Sequence, residues 1–259
     1  ELSTQIADEG KRLLQFHQNI GVTIMMGGTN ADKERKQMGT GGPGPQTLLV
    51  ATPGRLEDHL YNTPGFRARF NDLRTFVLDE ADQMLDMGFR PTITKILAAL
   101  PPPATRQTLL YSATVPKEMQ EIASRALRPG DQQRFVDCVG EGAEQTASKL
   151  EQFWLTVPLD SLLPAMWNVI AGQIATDPNH KIIVFFVTAR CTQFFAEFFN
   201  AGGIPVMDIH SRKSQSARTK TSEKFRDAKH AVLFTSDVSA RGMDYPDVTF
   251  VLQVGAPSS

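Results

Sequence analysis

At 259 residues the chain has room for one large or two small domains. Its 41% hydrophobic and 21% charged residues fit a globular protein rather than a disordered one, and no run of about 20 apolar residues offers a membrane span. The 27 basic and 28 acidic residues leave a formal net charge of −1, which excludes a globally basic nucleic-acid binder and confines any such surface to a local patch. Cys138 and Cys191 stand far apart without metal-ligand spacing and read as two free thiols.

In chain order, a helical pattern over Leu2–Phe16 is followed by strand candidates at Val22–Met26, Thr47–Ala51, Thr75–Leu78 and Thr108–Tyr111. A helix is expected over Pro116–Leu127. A second set of strands follows at Lys181–Val187, Val206–Ile209, Ala231–Thr235 and Val248–Val254, with a helix at Thr192–Ala201. Most of these strands are near-continuous apolar runs, the pattern of parallel strands covered on both faces. Alternation of strand and helix argues for α/β architecture with a parallel sheet in each half. The polar stretch Arg128–Lys149, with Pro129, Gly130, Gly140 and Gly142, separates the two sets. It reads as a linker holding one short strand around Phe135–Val139, so the organisation expected is 1–130, linker 131–150, and 151–259. Gly39–Pro45 is a surface loop, because it lacks the Gly-Lys-Ser/Thr ending of a phosphate cradle.

The chemistry concentrates at strand ends. Val77-Leu78 runs into Asp79-Glu80-Ala81-Asp82, and ligands of open parallel sheets bind beyond the carboxyl ends of strands. A carboxylate there suits Mg²⁺ held through water beside nucleotide phosphates, and its neighbour suits a general base. Gly27-Gly28-Thr29, Thr52-Pro53-Gly54-Arg55 and Ser112-Ala113-Thr114 end the other three strands of the first half. Glycines and hydroxyls at such positions allow close contact with phosphate oxygens.

Taken together these segments resemble the DEAD-box ATP-dependent RNA helicase family of superfamily 2. Glu1-Leu2-Ser3-Thr4-Gln5, Gly27-Gly28, Ala51-Thr52-Pro53-Gly54-Arg55, Asp79-Glu80-Ala81-Asp82 and Ser112-Ala113-Thr114 are similar to its first-lobe motifs, in order. Val184–Thr188, Gln215-Ser216-Ala217-Arg218 and Ser236-Asp237-Val238-Ser239-Ala240-Arg241-Gly242-Met243-Asp244 are similar to those of its second lobe. Ile209–Lys213, Asp237–Val248 and Gln253-Val254-Gly255 resemble the organellar-type branch, which implies a mitochondrion or other organelle.

The resemblance implies two tandem RecA-like parallel-sheet lobes, both incomplete here, with ATP between them and RNA across one face of both. It implies that Asp79 holds Mg²⁺ through water, that Glu80 is the general base, and that Asp82 bridges to Ser112 or Thr114. Gly242 and Asp244 are expected to meet ATP from the second lobe. RNA backbone contacts are expected from Gly27, Gly28, Thr52, Pro53, Gly54 and Arg55, and from Thr188, Ser211, Arg218 and Ser236, without sequence preference. Two departures stand out: Ser211 replaces the glycine of a His-Gly element, and Ser236 replaces a threonine while keeping the hydroxyl. The resemblance also places a P-loop and an adenine-reading Gln segment ahead of Glu1, and a His-Arg-x-Gly-Arg motif beyond Ser259. The expectation is a piece of a longer enzyme, inactive alone, since arginine fingers are worth about 10³–10⁵ in rate. The rival expectations are a non-catalytic RNA-binding scaffold of the same fold and a superfamily 2 DNA helicase.

Other conspicuous residues carry ordinary expectations. His17, His59, His180 and His230 stand singly and suggest surface or simple polar roles. Phe194, Phe195, Phe198 and Phe199 have helical spacing and suggest core or lobe packing. Trp154 and Trp167 suggest packing in the second lobe, while Lys33–Lys36 and Arg67–Arg69 suggest solvated faces.

Overall fold

The structure is a computed structural model. It describes residues 2–28, 30, 32, 34–36, 47–86, 88–114, 117–138, 150–236 and 244–256. Residues 2–138 form one compact unit and the rest of the described chain forms a second. The Gly39–Pro45 loop, residues 139–149 of the linker and residues 237–243 lie outside the described residues.

In the first unit, α1 (Leu2–Leu13) leads to β1 (Gly21–Met25), β2 (Thr47–Ala51) and α2 (Pro53–Asn62). Then come β3 (Thr75–Leu78), α3 (Ala81–Asp86), α4 (Arg90–Ala99), β4 (Gln107–Leu110) and α5 (Lys117–Ala126). β1 pairs with β2 and β3 with β4, both in parallel, as two separate two-stranded ribbons. Parallel pairing needs a crossover between partners, and α3 and α4 supply it for β3 and β4. Full coverage of these strands, expected from their apolar runs, is not what forms: Val77 and Leu48 are exposed, because among the described residues each ribbon is two strands wide. Two buried clusters hold the unit. Met25, Leu60, Phe66 and Ile96 pack under β1–β2, and Leu78, Ile93, Met119 and Ile122 under β3–β4.

The second unit runs α6 (Leu162–Thr176), β5 (Lys181–Phe186), α7 (Ala189–Ala201), β6 (Met207–Ile209), α8 (Gln215–Asp227), β7 (Ala231–Thr235) and β8 (Phe250–Val254). Its parallel sheet has the order β6-β7-β5-β8. Here the apolar runs behave as expected. β5 and β7 lie inside the sheet and are buried almost throughout, whereas β8 at the edge alternates in exposure. Lys181 opens β5 yet is buried; its ammonium donates to the Arg226 carbonyl at 2.8 Å, at the carboxyl end of α8, where a cation is favoured.

Side-chain caps start α7 and α8, while Ser161 before α6 makes no such bond. Thr188 Oγ accepts from Cys191 N at 3.1 Å and Ser214 Oγ from Ala217 N at 3.2 Å. Gly203, at φ +94°, ends α7 with the left-handed turn that favours glycine. Phe199 is buried and Phe195 stacks on Phe186, but Phe194 and Phe198 are exposed, so packing takes only one side of that aromatic run. Trp167 lies against Phe199 at 5.0 Å between centroids. A Cβ at Gly202 would sit 2.6 Å from the Trp167 ring. Gly202→Ala is therefore expected to destabilise the fold by about 1–3 kcal/mol through overpacking; a chemical denaturation midpoint measures it.

Three expectations need correction. Residues 135–138 form no strand, and Phe135 and Val136 are exposed, since no neighbouring strand pairs with them. Trp154 is 91% exposed rather than packed, because residues 150–158 run without sheet pairing. Arg67 is not simply solvated: its guanidinium donates to the Ala99 and Ala98 carbonyls at 3.1 and 3.3 Å, satisfying the end of α4.

Candidate functional site

In the first unit the ends of β3 and β4 are stitched together. Tyr111 N donates to the Leu78 carbonyl at 2.8 Å, and Ala81 N donates to the Tyr111 carbonyl at 3.1 Å. Between them the chain reverses at Glu80, whose φ of +50° is left-handed. Such a conformation in a non-glycine residue costs roughly 1–3 kcal/mol and persists only where its surroundings impose it. It lets α3 begin at Ala81, directly after the strand. Asp79 is exposed, and its Oδ1 accepts from Glu80 N at 3.0 Å.

Asp82 has the opposite environment, at 2% exposure. Its Oδ2 accepts from Thr114 Oγ at 2.8 Å and from Thr114 N at 3.1 Å, and its Oδ1 accepts from Gln83 N at 2.9 Å. Asp82 N donates to Ser112 Oγ at 3.2 Å, and that hydroxyl donates to the Thr114 carbonyl at 2.7 Å. Burial pushes the Asp82 carboxyl upward. The hydrogen bonds from Thr114, Gln83 and Ser112 together outweigh it and hold the carboxyl below its ordinary value. The structure thus brings Asp82, Ser112 and Thr114 into one network, with Asp79 and Glu80 on the turn beside it.

A second pair of strand ends is joined in the same unit. Thr52 N donates to the Met25 carbonyl at 2.9 Å, and Gly27 N donates to Thr52 Oγ at 3.1 Å. Thr52 precedes α2 in extended backbone, but its hydroxyl serves Gly27 and does not cap the helix. Pro53 opens the helix, where its missing N–H costs nothing. Gly28 has φ +83°, and nothing lies within 4 Å of a Cβ built at Gly27 or Gly54. Both turns present open backbone.

Arg55 does not extend into solvent. Its side chain is 10% exposed and its Nη1 donates to Glu34 Oε2 at 2.8 Å. His59, one helical turn on, is fully buried, with Nε2 at 3.0 Å from the same oxygen and Nδ1 at 2.9 Å from Thr63 Oγ. Arg35 pairs with both Asp58 oxygens at 3.1 and 2.9 Å. Arg35, in the stretch expected to be a solvated face, is therefore docked on α2, whereas Lys36 is exposed and Lys33 lies outside the described residues; His59 has a defined role. Sequence reasoning missed Glu34 and His59. The single available signal was the spacing of Arg55 and His59 on one helix face.

In the second unit Thr188 is the cap of α7, and Ser211 is exposed just beyond β6. The adjoining His210 is buried, with Nε2 at 3.0 Å from Asp208 Oδ2 and no partner at Nδ1. Burial lowers its pKa, against the pull of Asp208. Arg218 is half-buried in the first turn of α8, and Ser236 is buried, its carbonyl accepting from Thr235 Oγ at 3.0 Å. Asp244 is exposed; Gly242 lies outside the described residues. Among the described residues no three His, Cys, Asp or Glu side chains cluster as metal ligands. Among them, too, no helix is long and apolar enough to cross a membrane.

Residues 1–122 match the DEAD/DEAH box helicase family, and residues 165–259 match the helicase conserved C-terminal domain. The chain is 48% identical over 258 residues to DEAD-box ATP-dependent RNA helicase 26 of Oryza sativa subsp. japonica, covering all of this chain and 47% of that protein. It is 46% identical over 257 residues to DEAD-box ATP-dependent RNA helicase 31 of Arabidopsis thaliana, covering 99% of this chain and 35% of that protein. The chain thus spans less than half the length of these curated relatives. Among solved structures it resembles the DEAD-box helicase Mss116 bound to ssRNA and UDP-BeF, with a TM-score of 0.81 at 27% identity, over 99% of this chain and 52% of that one. Two parallel-sheet α/β units of RecA-like type, motifs at their strand ends in the family order, and these matches lead to one conclusion: the chain belongs to the DEAD-box helicase family.

Proposed function

We propose that the whole protein is an ATP-dependent RNA helicase that couples ATP binding and hydrolysis to local opening of RNA duplexes. The observation that carries this is the turn after β3. It presents Asp79 and Glu80 side by side at a strand end while Asp82 is locked below them to Ser112 and Thr114. A scaffold that only binds RNA has no use for two carboxylates held on a strained turn. The relatives are named ATP-dependent RNA helicases, and Mss116 was solved with ssRNA and a nucleotide analogue.

The residues present fit the chemistry. Mg²⁺ takes one or two carboxylates from a protein and fills its remaining positions with water and phosphate, and Asp79 offers one exposed carboxylate. When bound there, Mg²⁺ would neutralise charge on the phosphate oxygens. Glu80 accepts the proton of the attacking water at its carboxylate. Asp82 fixes the Thr114 turn, and so the spacing between the two strand ends. The family resemblance assigns nucleotide contacts to Asp244 and to Gly242, which lies outside the described residues. Catalysis here rests on positioning and electrostatics, with no covalent intermediate. The branch resemblance of residues 209–213 and 253–255 supports residence in a mitochondrion or other organelle.

RNA is held through sugar and phosphate by Gly27, Gly28, Thr52, Pro53, Gly54 and Arg55 on the first unit. Thr188, Ser211, Arg218 and Ser236 serve on the second. Ser236 is buried and acts through its backbone. None of these is an aromatic base-stacking residue, so binding positions a strand without identifying its bases. Only Arg55 and Arg218 are charged, and both are partly withdrawn from solvent. The salt slope of binding is therefore expected to be no steeper than about −1.4, at roughly 0.7 per phosphate on a single strand. Affinities for several unrelated short RNAs, measured with a non-hydrolysable ATP analogue across a salt series, test this. Similar affinities and a shallow slope are expected; strong preference for one sequence would refute the binding mode.

A further inference from the structure

Behind the two open turns of the first unit lies a buried polar chain of which only Arg55 is a proposed RNA contact. Glu34 Oε2 receives Arg55 Nη1 at 2.8 Å and faces His59 Nε2 at 3.0 Å. A carboxylate oxygen only accepts, so His59 Nε2 carries the proton. In the neutral ring Nδ1 is then an acceptor, and the Thr63 hydroxyl donates to it at 2.9 Å. The partners thus fix one tautomer, in the order Thr63, His59, Glu34, Arg55. Arg55 and His59 are four residues apart on α2 and share a face, which is why both reach a single oxygen.

The burial makes this chain consequential. The Glu34 and Arg55 side chains are 15% and 10% exposed, and His59 is fully buried. Removing one member of such a pair leaves the other charge poorly solvated. Arg35 on Asp58 adds a second tie between residues 34–36 and α2. Glu34 lies downstream of Gly28, and Arg55 closes the Thr52–Arg55 turn. The pair therefore links the chain leaving one turn to the helix leaving the other, beside the Gly27–Thr52 hydrogen bond.

We propose that Glu34 is a positioning residue for RNA binding: it holds the Arg55 guanidinium and so sets the two turns relative to each other, and buried His59 orients Glu34. The proposal rests on reading these turns as an RNA contact surface. The test measures single-stranded RNA affinity of the whole protein with a non-hydrolysable ATP analogue, alongside the melting midpoint of each variant. Arg55→Ala and Glu34→Gln are each expected to weaken RNA about tenfold, a factor worth about 1.4 kcal/mol, and the double variant no more than Arg55→Ala alone. His59→Phe keeps the ring beside Phe66, whose centroid is 5.5 Å away, but loses the Nε2 donor, and should bind RNA as weakly as Glu34→Gln. His59→Gln places an amide N–H close to the Nε2 position and should restore binding.

A role in packing alone gives the reverse order, with His59→Phe like wild type and His59→Gln impaired, and would overturn the proposal. Glu34→Gln keeps the shape of the side chain and serves as the test if His59→Phe does not fold. If Arg55→Ala weakens RNA while Glu34→Gln and His59→Phe do not, the positioning role falls and the RNA surface stands. If Arg55→Ala also binds like wild type, both fall. Tighter RNA binding by Glu34→Gln would likewise overturn the proposal, since Glu34 would then mask the charge of Arg55.

Discussion

Glu80→Gln in the whole protein is expected to stop ATP turnover while leaving ATP binding in place. The carboxamide has the size of the carboxylate and sits on the same left-handed turn, so the nucleotide surroundings keep their shape. Under the proposed mechanism, what disappears is the acceptor for the proton of the attacking water. General-base catalysis is typically worth about 10²–10⁴-fold, and the loss should fall in that range. Asp79→Asn is expected to act on another step: with its charge removed, Mg²⁺-dependent ATP binding weakens. Single-turnover phosphate release, set beside equilibrium binding of a fluorescent ATP analogue, separates the two effects. If Glu80→Gln keeps more than about a tenth of the rate, Glu80 is not the base.

Asp82→Ala should destabilise the first unit by about 3 kcal/mol, because it strips the acceptor from three donors at once. Thr114 N, Thr114 Oγ and Gln83 N all point at its carboxylate, and the site is closed to water. The loss should also alter pH dependence. The Asp82 carboxyl is held below its ordinary value in the folded state. Its stabilisation is therefore complete above the unfolded value of about 3.9 and is lost as pH falls through the lower folded value. Asp82→Asn should accordingly lose stability at neutral pH and show a flatter acid limb than wild type below about pH 4. Denaturation midpoints at several pH values check both. Parallel wild-type and Asp82→Asn acid limbs would show that this carboxylate is not what acid titrates.

How much of this could be read from letters alone depended on whether the signal was local. β5 and β7 are inner strands whose apolar runs announce burial on both faces, and they lie where the pattern put them. β3 and β4 carry similar runs but pair with each other in one narrow ribbon, so Val77 ends up exposed. No local pattern reports how many strands will flank a strand. Trp154 and Phe135 illustrate the same limit, since an apolar residue packs only where the fold provides a neighbour. The network of Asp82 with Ser112 and Thr114 was legible because the family resemblance links those motifs. Glu34 with Arg55 and His59 was not, because it joins residues on two segments whose apposition the sequence does not state. Arg55 is the instructive residue here. Its motif suggested a cation offered to phosphate, and the fold holds that cation against Glu34 beside the turn.

If the proposed function holds, the carboxylate turn after β3 drives RNA remodelling by hydrolysing ATP. The most direct measurement is strand separation of a short RNA duplex by the whole protein, with ATP, without nucleotide, and with a DNA duplex of the same sequence. RNA separation is expected to require ATP and to be weaker on DNA. Separation of equal extent without nucleotide, or equal on DNA, would contradict it.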